Sequence, residues 1–299
     1  MFKQIVVGVD GGPGGRDAVA LAKLLVKAGG ELTLAHVVPN DDNAYAGAGA
    51  GAAYDAPDAE DAEALLETVR NETSVEAHLR WRASSSVGRG LHELCELIGA
   101  DLVAVGSSRR GLLGRVLIGD DTSAALNGSP CSIAIAPTDY SQQPGVIRKI
   151  GVGYDGSPES EHALSVARML ADASGAKLSA LESVALPSDA FLGPGAVDNT
   201  PGRLLEDARG RIAALGDVEP YAAYGQPAEE LALYSASLDL LIIGSRGYGP
   251  IGRLIHGSTS QQLAHSARCP LLVLTRTARP SARDEAAEHD REGGVPLKG

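Results

Sequence analysis

The residue types and spacing best suited to chemistry lie in one stretch, Gly244-Ser245-Arg246-Gly247-Tyr248-Gly249-Pro250-Ile251-Gly252-Arg253-Leu254-Ile255-His256-Gly257-Ser258-Thr259-Ser260. It follows the apolar run Leu240 to Ile243 and precedes a helical pattern that starts near Thr259. That order reads as strand, glycine-rich loop and helix N-terminus. Glycines let the chain turn tightly and let a ligand approach the main chain without meeting a Cβ. A helix start offers unpaired N–H groups and the positive end of a dipole, which suits an anion such as phosphate. The hydroxyls of Ser258, Thr259 and Ser260 add donors at the same place. Arg246 and Arg253 either offset anionic charge or are solvated surface arginines. A plainer reading stands beside this one. Ser258 with Gln261 forms a capping box, and Gly244 permits a turn after a strand.

Gly, two residues, Gly, nine residues, Gly, then Ser or Thr is the pattern of Gly244, Gly247, Gly257 and Ser258. With this spacing the chain resembles the ATP-binding branch of the universal stress protein family. The resemblance covers most of the chain, because a degraded copy lies upstream. It implies that Gly244 and Gly247 approach the ribose and phosphates, with Ser245 and Arg246 in the same loop. It implies that Gly257 and Ser258 hold phosphates at the helix start, with Thr259 and Ser260 as neighbours. Asp155, and Asp10 in the first half, would contact the adenine end of the nucleotide. Each is also a suitable turn-capping residue. Val184 and Val38 would place backbone near the base, or are ordinary residues at strand ends.

The upstream copy keeps Gly106 and Gly119 but has Arg109 where the second glycine belongs. Asp120 stands where Ser or Thr belongs, and Asp121 follows it. An aspartate there is a good N-cap and fills the anion position with its own carboxylate. A phosphate charge about 4 Å away is repelled by roughly 1 to 4 kcal/mol per charge pair, against a dipole term of about 0.3 to 2 kcal/mol. Repulsion wins unless Arg109, Arg110 or a metal ion compensates. The expected ligand is therefore ATP, with ADP and AMP as alternatives and Mg2+ as a possible companion, held mainly in the second half.

Other phosphate motifs fail. Gly12-Pro13-Gly14 is followed by Asp17 where a dinucleotide fingerprint needs a third glycine, and no P-loop with its Gly-Lys-Ser/Thr ending occurs. No histidine pair has metal-ligand spacing, and no nucleophile with its base can be argued from spacing. The expectation is a binding and regulatory protein without catalytic or metal residues. An adenylating enzyme of the adenine-nucleotide α-hydrolase type is the alternative. It would need a Ser-Gly-Gly-x-Asp-Ser loop that neither Asp10-Gly11-Gly12-Pro13 nor Asp155-Gly156-Ser157-Pro158 supplies. A flavin-binding, electron-transfer-like protein is a third reading.

The elements that must position these residues alternate between strand and helix, and they do so twice. Ile5 to Asp10 reads as a buried strand, Arg16 to Lys27 as a helix stopped by Gly29-Gly30, and Leu32 to Val38 as a second strand. Residues 40 to 57 lack periodicity. Asp58 to Asn71 is an acidic amphipathic helix, Val75 to Trp81 a third strand, and Val87 to Ile98 a helix. Asp101 to Gly106 and Ile133 to Ile135 are strands, with a helix from about Asp121 between them. The order repeats from Ile150 to Leu274. Asp10 matches Asp155 at an offset of 145, while Gly106 matches Gly244 and Gly119 matches Gly257 at 138. Alternating strands and helices imply right-handed crossovers and a parallel sheet. The fold class is thus α/β: two tandem open five-stranded parallel-sheet domains with helices on both faces. The resemblance sets the strand order as 3-2-1-4-5, adenine-nucleotide α-hydrolase-like. Domain 1 spans 1–138 and domain 2 spans 147–278. A polar linker joins them, and 279–299 is a charged tail expected to be disordered.

Composition bounds the remaining classes. The 299 residues carry 26 Lys and Arg against 38 Asp and Glu, a net charge of −12. That balance argues against nucleic acid and anionic lipid as partners. No apolar run approaches the roughly 18 residues of a membrane span. Met1 to Gln4 leads straight into a strand without a signal peptide's apolar region. Cys95, Cys131 and Cys269 read as buried reduced thiols, which points to the cytoplasm. The protein partner is unknown. In the family the last strand often makes a dimer contact. Here Ile133–Ile135 and Leu271–Leu274 could pair within the chain as a pseudo-dimer, with homo-dimerisation open.

Overall fold

A computed structural model describes residues 1–39, 56–107, 128–142, 144–185, 201–245 and 258–275. The first half runs β1 (Phe2–Gly8), α1 (Pro13–Leu25), β2 (Val26–Pro39), α2 (Ala56–Thr73), β3 (His78–Ser84), α3 (Val87–Ile98), β4 (Leu102–Gly106) and β5 (Ser132–Ala136). The second runs β6 (Lys149–Gly153), α4 (Pro158–Ser174), β7 (Lys177–Val184), α5 (Pro201–Ala213), β8 (Glu219–Tyr224), α6 (Pro227–Tyr234), β9 (Leu240–Gly244), α7 (Ser258–Ser266) and β10 (Leu271–Leu274).

Among the described residues ten strands form one sheet in the order β3-β2-β1-β4-β5-β10-β9-β6-β7-β8. Each half has the expected 3-2-1-4-5 order with parallel neighbours. The halves meet at an antiparallel pair, with Ile133 opposite Val273, Ala134 opposite Leu272 and Ile135 opposite Leu271. Because that one junction is antiparallel, the carboxyl ends of the two halves' strands lie on opposite rims of the sheet.

The inner strands are short aliphatic runs buried on both faces, as a covered parallel sheet requires, whereas the outer strands β3 and β8 are polar and partly exposed. One face packs against α1, α2, α4 and α5, the other against α3, α6 and α7. Fully burying each Val, Leu or Ile contributes about 1.5–3 kcal/mol. Matching carboxylates then fix the inner strands. Asp101, just before β4, accepts from the N–H groups of Lys3 and Gln4 at 2.7 and 3.0 Å. Asp239, just before β9, accepts from those of Arg148 and Lys149 at 2.9 Å each.

Two expectations change. The first helix ends at Leu25 rather than running to Lys27. Val26 is extended and pairs with Phe2, and Gly29, at φ 72°, lies in a register shift of β2 rather than stopping a helix. The third strand begins at His78, not Val75. Val75 is buried, but its N–H closes the end of α2 on the carbonyl of Arg70. The polar linker is docked. Asp17, only 1% exposed, accepts from the N–H of Asp139 at 3.0 Å and from the N–H and hydroxyl of Ser141 at 2.7 and 2.6 Å. Tyr140, in the short 3-10 turn they form, packs against the core. The expected helix from Asp121 and the tail 279–299 lie outside the described residues.

Candidate functional site

Open parallel sheets place ligands beyond the carboxyl ends of the strands, where strand order reverses. In the second half that point lies between β6 and β9, and a cavity of about 350 Å3 opens there. Its floor is Gly153, Tyr154 and Asp155 after β6, together with Ile243, Gly244 and Ser245 at the end of β9. Ser258, Thr259 and Ser260 in the first turn of α7 form one wall. Ser157, Glu159 and Ser160 at the start of α4, and Gln226 to Ala228 at the start of α6, form the others.

Local sequence explains this placement. Asp155 accepts from the N–H of Ser157 at 3.0 Å and so bends the chain after β6. Ser157 caps α4 by accepting from the N–H of Ser160 at 3.2 Å, and Pro158 occupies the first helical position. Gly244 is required by packing. A Cβ there would lie 2.4 Å from the carbonyl oxygen of Glu159, so the first turn of α4 can rest on β9 only over a glycine. Tyr154 donates to Glu161, and its phenol is pushed up to about 12, by burial first and then by that bond.

Ser245 is 2% exposed and donates its N–H to the carbonyl of Leu274 at 3.0 Å. Its hydroxyl, buried at the cavity, has no hydrogen-bond partner among the described residues. Buried hydroxyls are normally paired, so this one marks a place where a polar group is wanted.

The first half repeats the layout at lower volume. A cavity of about 160 Å3 lies between β1 and β4, with Asp10, Gly106 and Ser107 on its lining. Asp10 accepts from the N–H of Gly12 at 2.8 Å, the same turn that Asp155 makes. A Cβ on Gly106 would lie 2.1 Å from the carbonyl oxygen of Gly14. Ser107 differs from Ser245, because its hydroxyl is bonded to that of Thr138 at 3.0 Å.

Of the residues singled out by sequence, Asp155, Gly244, Ser245, Ser258, Thr259 and Ser260 come together at one cavity, and Asp10 and Gly106 at the other. Val184 and Val38 do not line either cavity. Alternation along β7 turns Leu181 and Ser183 toward the site, and the carbonyl of Val184 is taken by the N–H of Gly225 at 3.4 Å. Arg246, Gly247, Gly257 and Gly119, with Arg109 and Asp120, lie outside the described residues. Sequence reasoning missed Tyr154, Ser157 and Gln226. A Gln-Pro step after a strand's carboxyl end was the available signal for the last.

A doubly wound parallel sheet, repeated once and holding a cavity at the switch point of each repeat, defines a tandem α/β protein. The chain belongs to the universal stress protein family, whose pattern matches residues 1–137 and again 147–275. A universal stress protein of Mycobacterium tuberculosis is 33% identical over 187 residues, covering 58% of this chain and 61% of that protein. The match therefore spans less than two thirds of that relative. A universal stress protein of Thermus aquaticus is 33% identical over 137 residues, covering 43% of this chain and 99% of its own length. The crystal structure of a universal stress protein from Archaeoglobus fulgidus shares the fold at 17% identity, with a TM-score of 0.63 over 91% of this chain and 98% of that one. No described helix is long and apolar enough to cross a membrane.

Proposed function

We propose that the second half, residues 147–278, binds ATP and that the chain acts as a nucleotide-responsive regulator in stress or growth control. The first half, residues 1–138, carries the degraded motif and binds ATP weakly or not at all. The observation that carries this reading is the Ser245 hydroxyl, buried beside the first turn of α7 and without a partner among the described residues. A phosphate or ribose oxygen there would supply its missing partner. Ser258 to Ser260 and the N-terminal end of α7 offer the donors and dipole that an anion needs. The cavity, at about 350 Å3, falls within the roughly 300–1,000 Å3 of small-molecule sites. Regulation follows if bound nucleotide favours one partner surface over another. A ligand shifts such an equilibrium only by its differential affinity for the two states.

Denaturing the purified full chain and identifying the nucleotide released tests the ligand and its stoichiometry, expected near one per chain. Calorimetry with Ser258→Asp tests the site, since this change imports the first half's negative charge at the helix start. A marked loss of ATP affinity is expected, and unchanged affinity would refute the assignment.

A further inference from the structure

The sheet ends in two edges that are built differently. β8 resists a further strand, because Pro220 has no N–H to donate and Glu219 beside it holds the hydroxyl of Tyr221. β3 is open. Among the described residues it pairs only with β2, in parallel, so alternate N–H and C=O groups along its other side meet no strand. Its seven residues alternate in kind. Leu79 and Trp81 are half-buried and pack against the core, while His78, Arg80 and Arg82 are exposed on the opposite face.

Those last three residues make a basic row on a chain whose net charge is −12. Their neighbours do not neutralise it. Arg82 and Arg89 share one carboxylate, that of Glu93, with the Arg89 contact at 3.1 Å. Arg80 turns its guanidinium to the carbonyl of Leu79 at 3.1 Å and has no carboxylate partner among the described residues. The sign changes at the amino end of β3. A cavity of about 710 Å3 there is lined by Glu31 and Glu76, and Glu31 lies 3.8 Å from His78. Arg70, on the same wall, is already held by Glu67. Charge along this edge therefore runs from negative at its amino end to positive at Arg80 and Arg82.

We infer that β3 is the docking edge for an extended acidic peptide, which adds as a parallel strand with its amino end near Glu31 and Glu76 and acidic residues opposite Arg80 and Arg82. Main-chain hydrogen bonds along the free side give affinity, and alternate side chains give selectivity. Acids two residues apart fall on one face of the added strand, beside the two arginines, and the residue between them falls on the face of Trp81. The same charges repel a second β3, so the edge selects a partner of opposite sign rather than another copy.

Trp81, the chain's one tryptophan, reports on this edge. Titrating the full chain with the peptide Lys-Thr-Glu-Val-Glu-Thr-amide should give a saturable change in its fluorescence, and affinity should fall as salt rises. Arg80→Glu should weaken binding about fivefold, and a peptide with Lys in place of its first Glu should recover part of that loss in this variant alone. Backbone N-methylation separates strand addition from a mere charge contact. Only alternate N–H groups of an added strand face β3, so methylating one alternate set should abolish binding and methylating the other should largely spare it. No saturable signal with millimolar peptide would overturn the inference, as would equal tolerance of the two methylated peptides or equal affinity in Arg80→Glu. A full chain that self-associates and is dispersed by the peptide would also overturn it, by making a second copy the occupant.

Discussion

Ser107 and Ser245 hold equivalent places, each donating its N–H to the carbonyl that ends its half's last strand, Ala136 at 2.9 Å and Leu274 at 3.0 Å. Their hydroxyls have opposite fates, and mutation should report this. Ser107→Ala leaves Thr138 short of a partner and should destabilise the chain by about 1 kcal/mol. Ser245→Ala removes a buried hydroxyl that has no partner among the described residues, and it should be neutral or stabilising without ligand, while lowering the stabilisation that saturating ATP provides. Urea unfolding of both variants with and without ATP checks the pair, and equal losses without ligand would contradict it. Tyr154 makes a pH-dependent contribution of known sign. Its phenol titrates at about 12 in the folded chain against 10.0 ordinarily, so its contribution is complete below pH 10. It is lost as pH climbs toward 12. Tyrosinate absorbance should show a late-ionising phenol that Tyr154→Phe lacks, and the stability of that variant should fall less between pH 10 and 12 than that of the parent chain.

Each half brings its first helix onto the end of its fourth strand, and each uses a glycine to do it. Adding a methyl at Gly106 would meet Gly14 backbone at 2.1 Å, and at Gly244 would meet Glu159 backbone at 2.4 Å. Backbone cannot rotate away as a side chain can. Gly106→Ala and Gly244→Ala should each cost about 1–3 kcal/mol or more in thermal unfolding, with no nucleotide present. A ligand-only role for Gly244 predicts an unchanged midpoint instead. The motif's glycines were legible in the sequence, but this reason for two of them was not, because it needs the distance between a helix and a strand. The same limit hid the linker. Thr138 to Val146 reads as a polar interdomain linker, and its pattern does not show that the buried Asp17 takes three hydrogen bonds from it. Asp17 entered the sequence argument only as the residue that spoils a glycine fingerprint. The strands were legible because covered parallel strands are uninterrupted aliphatic runs, and the 138-residue offset carried the duplication. Boundaries slipped where a buried residue belonged to a turn, as at Val75. Asp17→Ala should destabilise by about 2–4 kcal/mol, since three donors lose a charged partner at once. Limited proteolysis between 138 and 146 should quicken in that variant.

At the centre of the sheet, β5 and β10 close each other's open edge, so that neither half exposes its last strand. That pairing buries Ile133, Ile135, Leu271 and Val273. The two edges left at the ends of the sheet are poor templates for another copy. β3 carries Arg80 and Arg82, whose like charges would face each other in a self-pairing. β8 carries Pro220, which has no N–H to donate. The full chain should therefore sediment as a monomer. Cutting it apart changes the balance. In residues 147–278 alone, β10 becomes an edge with unpaired N–H and C=O groups and no charged side chain, since Leu271 to Leu274 are all aliphatic. A second copy can supply the same antiparallel partner that β5 supplies in the intact protein. The isolated second half should accordingly dimerise, and mixing it with the isolated first half should convert homodimers into the heterodimer that restores the native seam. Sedimentation of each half alone and of the mixture measures this. A second half that stays monomeric at concentrations where the mixture associates would show that the seam recognises β5 specifically rather than any aliphatic edge.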